Sequence, residues 1–312
     1  MDPRLQRILL SIVASIILVD SVWASLVHFD LDRSGYLAIG VLSGALAGGG
    51  IFYDRVRKDA GLSAMLLAAG FLIAFSAAFS VFNYFLLSVP GVRIDDLLAR
   101  IDGAMGFDWP SMMAFISRHP GFNFLLKIAY QTMLPQTALL VICLGWKKRC
   151  DELSGFCLAV AIAASVTVLF WAFYPSFGAF AIFHLDPSVT SHIDTALDTH
   201  YAQELLRLAA TGPGHIAPGG VKGLIGFPSF HTAMAVMIAW YARRLPYIRW
   251  PAAALNLLVV ISTPIQGGHH VVDIFGGFAV TAMAVVLSDR ILAAATVARP
   301  RVAQSAVIDA TT

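Results

Sequence analysis

Charged residues are scarce in this sequence, because Asp, Glu, Lys and Arg together make up only 13% of its 312 residues. A typical soluble domain contains roughly twice that fraction, so the composition excludes an ordinary water-soluble protein. The net charge of +2 also gives no general basic surface for nucleic acid. Instead, 58% of the residues are hydrophobic and the mean hydropathy is +0.75. These values favour a protein embedded in a lipid bilayer.

Cysteine is also rare. The chain has only Cys143, Cys150 and Cys157, which are evenly spaced around one predicted loop. This spacing matches no metal-ligand motif, and three thiols beside one loop are not a disulfide framework. We therefore predict neither a metal site nor a structural disulfide here, so function must depend on other residue types.

Eight apolar stretches are long enough to cross a bilayer, which takes roughly 20 residues. They cover about residues 8–28, 35–53, 62–88, 124–146, 155–183, 227–243, 249–266 and 270–290. The first stretch follows two arginines, as a signal peptide would, but no small-residue cleavage site follows it, and we predict a retained helix. The predicted fold class is an all-α membrane protein with about eight transmembrane helices.

Lysine and arginine are concentrated in alternate loops. Short loops that carry positive charge stay in the cytoplasm, so this pattern predicts that both termini are cytoplasmic. The basic residues assigned to that side are Arg4, Arg7, Arg55, Arg57, Lys58, Lys147, Lys148, Arg149, Arg243, Arg244, Arg249, Arg290, Arg299 and Arg301. The chain is thus predicted to be a multi-pass protein of the cell (inner) membrane, with residues 90–123, 184–226 and 266–270 on the outer or periplasmic face.

The two long outer segments have amphipathic character. In the first, one helical stripe contains Ile94, Leu97, Leu98, Ile101 and Met105, and the opposite side contains Asp95, Asp96, Arg100 and Asp102. This pattern predicts a helix that lies in the membrane interface. The second segment has apolar residues in helical register over residues 193–208 and then becomes rich in glycine, which lets the backbone approach a ligand closely.

Two histidine-containing segments are predicted to meet at the outer face, each at the beginning of a helix. One is residues 227–231, which end in His231, and the other is residues 266–270, which contain His269 and His270. The N-terminus of a helix has unpaired N–H groups and a positive dipole end, which favour an anion. A phosphate group is therefore the expected ligand.

His269 and Asp273 are four residues apart, so they lie on the same face of a helix. The carboxylate can then accept a hydrogen bond from one ring nitrogen while the other nitrogen faces a substrate, which is the arrangement of an oriented nucleophile or base. Simpler interpretations exist: His231 could cap or pack its helix, and Asp273 could line a water-filled crevice. His270 is expected to be structural, because on a helix it points about 100° away from His269.

These segments resemble two of the three motifs of the type-2 phosphatidic acid phosphatase superfamily. The second motif is Pro-Ser-Gly-His, and residues 228–231 match it except that Phe230 replaces glycine. The third is Ser-Arg, five residues, His, three residues and Asp. Ser262, His269 and Asp273 keep this spacing, with Thr263 in place of arginine. The first motif, Lys, six residues and Arg-Pro, is absent.

The residues around the motifs are most similar to the branch that contains inositol phosphorylceramide synthases and their bacterial relatives. The similarity includes the Gly-Phe-Asp-Trp sequence of residues 106–109, and its motif-bearing part covers about residues 150–290. The resemblance implies a helical bundle shared with vanadium-dependent haloperoxidases. It also implies a division into N-terminal transmembrane helices (1–60), a catalytic membrane domain (61–292) and a cytoplasmic tail (293–312).

The resemblance also implies roles for individual residues. His269 would attack phosphorus to form a phosphohistidine, Asp273 would orient it, and His231 would protonate the leaving oxygen. Ser229 would hold phosphate oxygens. Lys222 and Arg207 are the outer-loop cations available to replace the missing first motif. The implied reaction requires no metal and no other cofactor.

The resulting hypothesis is an integral membrane lipid phosphatase or phosphotransferase. Its predicted partners are a membrane lipid as substrate and a polyol such as inositol as a possible acceptor, with no nucleic acid; the oligomeric state stays open. One alternative is a transporter whose substrate or proton path is lined by the histidines and Asp273. Another is a catalytically inactive relative, because the first motif and the third-motif arginine are missing.

Overall fold

The computed structural model describes residues 2–26, 30–197, 201–212 and 214–297. The predicted tail lies outside the described residues from position 298 onward. The helices are α1 (Pro3–Leu26), α2 (Arg33–Phe52), α3 (Ala60–Phe85), α4 (Asp95–Ala104), α5 (Trp109–Ser117), α6 (Pro120–Gln131), α7 (Met133–Trp146), α8 (Cys150–Phe173), α9 (Pro187–Thr190), α10 (Tyr201–Thr211), α11 (Phe230–Ala242), α12 (Arg249–Gln266) and α13 (Val272–Val297). Two short strands, β1 (Asp30–Leu31) and β2 (His215–Ile216), pair in parallel.

The predicted all-α membrane class is confirmed. Among the described residues, five helices are long and apolar enough to span a bilayer: α1, α2 with its π-helical extension to Arg57, α3, α8 and α13. The pair α6 and α7 passes the same test as one span bent by 47°. The remaining two predicted stretches form α11, with 13 residues, and α12, with 18. All eight apolar stretches are thus helical, but six at most meet the length and hydropathy expected of a span.

The bend between α6 and α7 has a local cause. Pro135 has no backbone N–H to donate, and its ring crowds the carbonyl group of Gln131, where α6 ends. Just after the bend, the Gln136 side chain donates to Thr132 Oγ1 at 2.8 Å and accepts from Asn256 Nδ2 at 2.7 Å. These hydrogen bonds satisfy buried polar groups and connect α7 to α12.

Helix α8 is the centre of the bundle. It packs against α3, α11 and α13, and its buried side chains include Phe156 and Trp171. Since helices on several sides cover it, α8 is apolar around its whole circumference, as expected for a buried helix. The end of the bundle at which α8 ends and α11 and α13 begin is called here the histidine end.

The predicted orientation of α4 is wrong for two of its residues. Asp95 and Asp102 are buried, whereas Asp96 and Arg100 are exposed and Leu98 is buried, as the pattern predicted. Both carboxylates point inward because they accept backbone N–H groups from loops at the histidine end. Burial of a carboxylate is tolerated when several such donors surround it. Helix α4 is therefore part of the interior and is not a simple interfacial helix.

Candidate active site

Small residues on α13 bring the two histidine segments together. A Cβ atom at Gly276 would lie 2.8 Å from Phe227 Cε2, and one at Gly277 would lie 2.7 Å from the Ser229 carbonyl oxygen. The first turn of α13 is also hydrogen-bonded to the loop before α11, because Ser229 N donates to the Asp273 carbonyl at 3.1 Å. The paired glycines therefore allow α13 to contact the residues that lead into His231.

His269 and Asp273 form the predicted pair. His269 Nδ1 lies 2.9 Å from Asp273 Oδ2, and both side chains are buried. His269 stands in the turn before α13 and Asp273 in the first helical turn, so the four-residue spacing still brings them together. In a neutral ring with Nδ1–H donating to the carboxylate, the other nitrogen, Nε2, has a lone pair available for a reaction. This is the geometry of an oriented nucleophile.

Tyr130 of α6 contacts the second histidine and was not predicted from the sequence. Its ring stacks on the His231 ring with centroids 4.3 Å apart and planes 13° apart, and its hydroxyl is 3.3 Å from His231 Nδ1. A Cβ atom at Gly267 would lie 2.8 Å from both the Tyr130 hydroxyl and His269 Cδ2. Tyr130 therefore lies beside both histidines. No sequence motif marks it, since its helix is far from both histidine segments along the sequence.

The two helix N-termini differ in their capacity for an anion. At α13, the amides of Val271 and Val272 donate to Asp102 at 2.8 Å each, and the amide of His270 donates to Asp273 at 3.0 Å. At α11, Ser229 Oγ accepts from Thr232 N at 3.3 Å. Within the described part of the chain, the amides of residues 230 and 231 have no acceptor. Of the two anion sites expected from the sequence, only that of α11 therefore remains open.

His270 lies between two carboxylates of α4. Its Nε2 is 3.7 Å from Asp95 Oδ1 and its Nδ1 is 3.7 Å from Asp102 Oδ2, and all three side chains are buried. At this distance the contacts are ion pairs and not hydrogen bonds, and neither ring nitrogen has a hydrogen-bond partner among the described residues. The sequence prediction that His270 is structural did not include these partners.

Two glycines let the loop after α8 contact the His269 loop. Gly178 has φ +82° and Gly268 has φ +62°, and Ala179 N donates to the Gly268 carbonyl oxygen at 2.6 Å. A Cβ atom at Gly178 would lie only 2.3 Å from that oxygen. Both the backbone conformation and the close approach therefore require glycine at position 178.

A comparison with known protein families identifies the family of this chain. The family model of the PAP2 superfamily, the type-2 phosphatidic acid phosphatases, matches residues 96–287. The chain belongs to the PAP2 superfamily. No curated protein and no solved structure matches it. The matched region begins in α4 and ends in α13, so it contains both histidine segments and Tyr130. Membership indicates an enzyme of the phosphatase or phosphotransferase type.

The structure places the two candidate phosphate-binding cations around Glu204. Arg207 forms an ion pair with Glu204 at 2.9 Å, and Lys222 Nζ lies 3.9 Å from the same carboxylate. Lys222 Nζ also lies 6.0 Å from the centre of the Tyr201 ring, and its backbone amide donates to the Tyr84 hydroxyl at 2.9 Å. Both basic side chains are largely exposed. They are thus partly neutralised at the surface of the histidine end.

The position at which the PAP2 third motif has arginine is occupied by a buried threonine. Thr263 Oγ1 donates to the Val259 carbonyl oxygen at 2.9 Å within α12, and Ser262 Oγ donates to the same oxygen at 2.7 Å. Neither hydroxyl is exposed. Within the described residues, no group of three or more His, Cys, Asp or Glu side chains is arranged to hold a metal ion.

Removal of the Tyr130 hydroxyl tests its contact with His231. Tyr130→Phe keeps the stacked ring but loses the hydrogen bond, so we expect turnover to fall about 3- to 10-fold. The rate of phosphate release from a lipid substrate measures this change. Tyr247→Phe, which alters a side chain that is 89% exposed, is the matched control. An unchanged rate in Tyr130→Phe would show that the hydroxyl does not act on His231.

Gly178→Ala tests the close approach between the two loops. Alanine in the backbone conformation of Gly178, with φ +82° and ψ −179°, costs about 1–3 kcal/mol by itself, and the clash with the Gly268 carbonyl adds about 1–3 kcal/mol. Gly106→Ala is the matched control, because Gly106 has φ +84° with no neighbouring atom within 4 Å of a Cβ. Unfolding measured in detergent should therefore show a larger loss of stability for Gly178→Ala than for Gly106→Ala. Equal losses of stability would contradict a role for the loop contact.

Proposed function

We propose that this PAP2 superfamily member cleaves the phosphate-containing head group from a membrane lipid through a phosphohistidine at His269. The observation that carries the proposal is the buried contact of 2.9 Å between His269 Nδ1 and Asp273 Oδ2, which orients the ring so that Nε2 is the nitrogen available to a substrate. Phosphoryl transfer needs little more from a protein than a positioned nucleophile, a proton donor and fixed positive charge. The histidine end provides residues for each of these requirements.

In the first step, Nε2 of His269 attacks phosphorus while the bond between phosphorus and the leaving oxygen breaks. The negative charge of the bound phosphate favours the protonated form of His231. His231 then donates a proton to the leaving oxygen, so that a neutral alcohol or diacylglycerol-type product leaves. Asp273 balances the positive charge that develops on the His269 ring. The Tyr130 hydroxyl at 3.3 Å can accept from Nδ1–H of charged His231 or donate to Nδ1 of the neutral ring. It therefore supports both protonation states of His231.

In the second step, an acceptor oxygen attacks phosphorus and the bond between His269 Nε2 and phosphorus breaks. Neutral His231 removes the proton from the acceptor and is thereby returned to its charged form. Water as acceptor gives a lipid phosphatase, and an alcohol gives a phosphotransferase. The resemblance to inositol phosphorylceramide synthases favours a polyol acceptor, and we propose this as the finer function.

We assign the transferred phosphate to the N-terminus of α11. The free amides of residues 230 and 231 point in the direction of the helix dipole, which favours negative charge. Ser229 would support this position mainly as the helix cap, through its contact with Thr232. Lys222 and Arg207 would act at the rim, where they attract the anionic head group, while Glu204 limits their net charge.

We further propose that residues 61–292 are the catalytic domain and that the histidine end faces outward from the cell (inner) membrane. The matched region, residues 96–287, lies within those bounds. The opposite end of the bundle carries Arg55, Arg57, Lys58, Lys147 and Lys148, which supports a cytoplasmic location for it. The paired histidine and carboxylate lie at helix ends, which suits an interfacial enzyme better than a transport path through the membrane.

The proposal is tested by incubating the purified protein with a panel of phospholipids radiolabelled at the head-group phosphate, with and without free polyols. Release of labelled phosphate alone would identify a lipid phosphatase. A new labelled lipid or polyol phosphate that appears only with a polyol would identify a phosphotransferase. An acid-labile labelled protein should form in either case. If no substrate reacts and no labelled protein forms with any lipid, the chain is a catalytically inactive relative.

A further inference from the structure

The loop that carries His269 is held by the carboxylates of α4. Asp102 accepts from the amides of Val271 and Val272 at 2.8 Å each, directly after the catalytic histidine. Two helical turns earlier in α4, Asp95 accepts from Ser176 Oγ at 2.8 Å and from the amides of Phe177 and Gly178 at 2.9 and 3.0 Å. The same helix therefore connects the loop after α8 to the loop before α13.

His270 lies between these two carboxylates with no exposed surface. Burial by itself disfavours a charged imidazole, but the facing Asp102 and Asp95 carboxylates outweigh it and raise the pKa of His270 to about 9. Burial likewise acts to raise the pKa of Asp95. His270, Arg93 and Ser176 nevertheless bring that pKa below its ordinary value. His270 is therefore an imidazolium at neutral pH and faces the ionised Asp95 carboxylate.

We propose that His270 is a positioning residue, which as an imidazolium ion-paired to Asp95 and Asp102 holds α4 against the catalytic loop and so orients His269. This inference rests on the proposed function, because it assigns His270 a part in phosphohistidine formation. The adjacent residue His269 shares its backbone with His270, whose amide donates to the Asp273 oxygen that also accepts from His269. A shift of the His270 ring would therefore move the nucleophile and its partner together.

The charge on His270 is the physical basis of this role. The charged groups that face it are Asp95 and Asp102 from α4 and Asp273 from α13, and Arg93 forms an ion pair with Asp95 at 2.6 Å. Loss of the proton would remove the attraction between the loop and the two carboxylates of α4, and it would leave them facing the Asp273 carboxylate of α13 with no positive charge between, which weakens the contact between α4 and the loop. Because the pKa is raised, the stabilisation is complete below about pH 6.5 and is lost as the pH rises through about 9.

His270→Gln is the direct test, with phosphoenzyme formation measured by rapid mixing with radiolabelled lipid. A misplaced nucleophile should slow this step on the order of 10²-fold at pH 7, while KM for the lipid changes little. The ratio of wild-type to variant rates should then shrink towards unity above pH 9, where His270 becomes neutral in the wild-type protein too. Other alkaline groups are common to both proteins and cancel in this ratio. Asp96→Asn, an exposed neighbour on α4, is the matched control.

Asp102→Asn is the second variant and covers the case in which His270→Gln does not fold. It removes one of the two ion pairs, so the alkaline midpoint of phosphoenzyme formation should move down by about one pH unit or more, while Asp96→Asn leaves it unchanged. Equal rates for wild type and His270→Gln, or an unmoved midpoint in Asp102→Asn, would overturn the inference. If the inference about His270 fails in this way but His269→Ala is inactive in the same assays, the proposed function still stands. Activity in His269→Ala would instead overturn the proposed function itself.

Discussion

His269→Ala is expected to abolish turnover, with a loss on the order of 10⁴-fold or more, because the proposed nucleophile is removed. The two neighbouring histidines are not placed to replace it, since His231 lies against Tyr130 and His270 lies between two carboxylates. Radiolabelled lipid should give neither a product nor an acid-labile phosphoenzyme. Release of labelled phosphate and label on the protein would both be measured in detergent micelles.

The fold of His269→Ala should persist. Removal of the His269 imidazole leaves the amide of His270 as the remaining donor to Asp273 Oδ2, which lowers the free energy of unfolding by about 1–3 kcal/mol. Thermal unfolding in detergent would establish that the sample is folded. His119→Ala, which changes an exposed histidine of a neighbouring helix end, should retain full activity. Turnover by folded His269→Ala protein would contradict a covalent mechanism at this residue.

Asp273→Asn is expected to lower turnover about 10²- to 10⁴-fold. The amide oxygen can still accept from His269 and from the amide of His270, so the geometry is largely preserved. The negative charge that balances the developing positive charge on His269 is lost, and formation of the phosphoenzyme should therefore be the slowed step. Single-turnover measurements with labelled lipid would separate this step from release of the product.

Asp289→Asn is the matched control for that variant, because Asp289 lies on the same helix α13 but is exposed. Its turnover should equal that of the wild-type protein. If Asp273→Asn formed the phosphoenzyme at the normal rate and lost only a later step, Asp273 would act on the acceptor and not on His269. That outcome would require a different assignment of the base.

Local sequence information was sufficient for the helices and for one side-chain pair. Each apolar stretch became a helix because hydropathy over about 20 residues is a local property. The His269–Asp273 hydrogen bond was predictable because four residues are about one helical turn, and the structure forms it. The α11 cap at Ser229 follows from the same kind of local rule.

Helix α4 shows where the same reasoning fails. Its pattern predicted that Asp95 and Asp102 would lie on the polar side together with Asp96 and Arg100, but the structure buries Asp95 and Asp102. An amphipathic pattern identifies two faces of a helix but does not say which groups elsewhere in the chain will contact them. The donors for these carboxylates, in the loops after α8 and before α13, are brought to α4 only by the packing of the bundle.

The amino-acid sequence by itself determined that this chain is an all-α membrane protein and which histidines stand at the start of α11 and beside α13. Hydropathy and residue spacing act over one helix at a time, so they specify such features directly. Only the tertiary structure decided that Tyr130 stacks on His231, that His270 lies between the carboxylates of α4, and that Lys222 and Arg207 lie beside Glu204. These contacts join residues that are distant in the chain, and their partners are selected by the packing of whole helices.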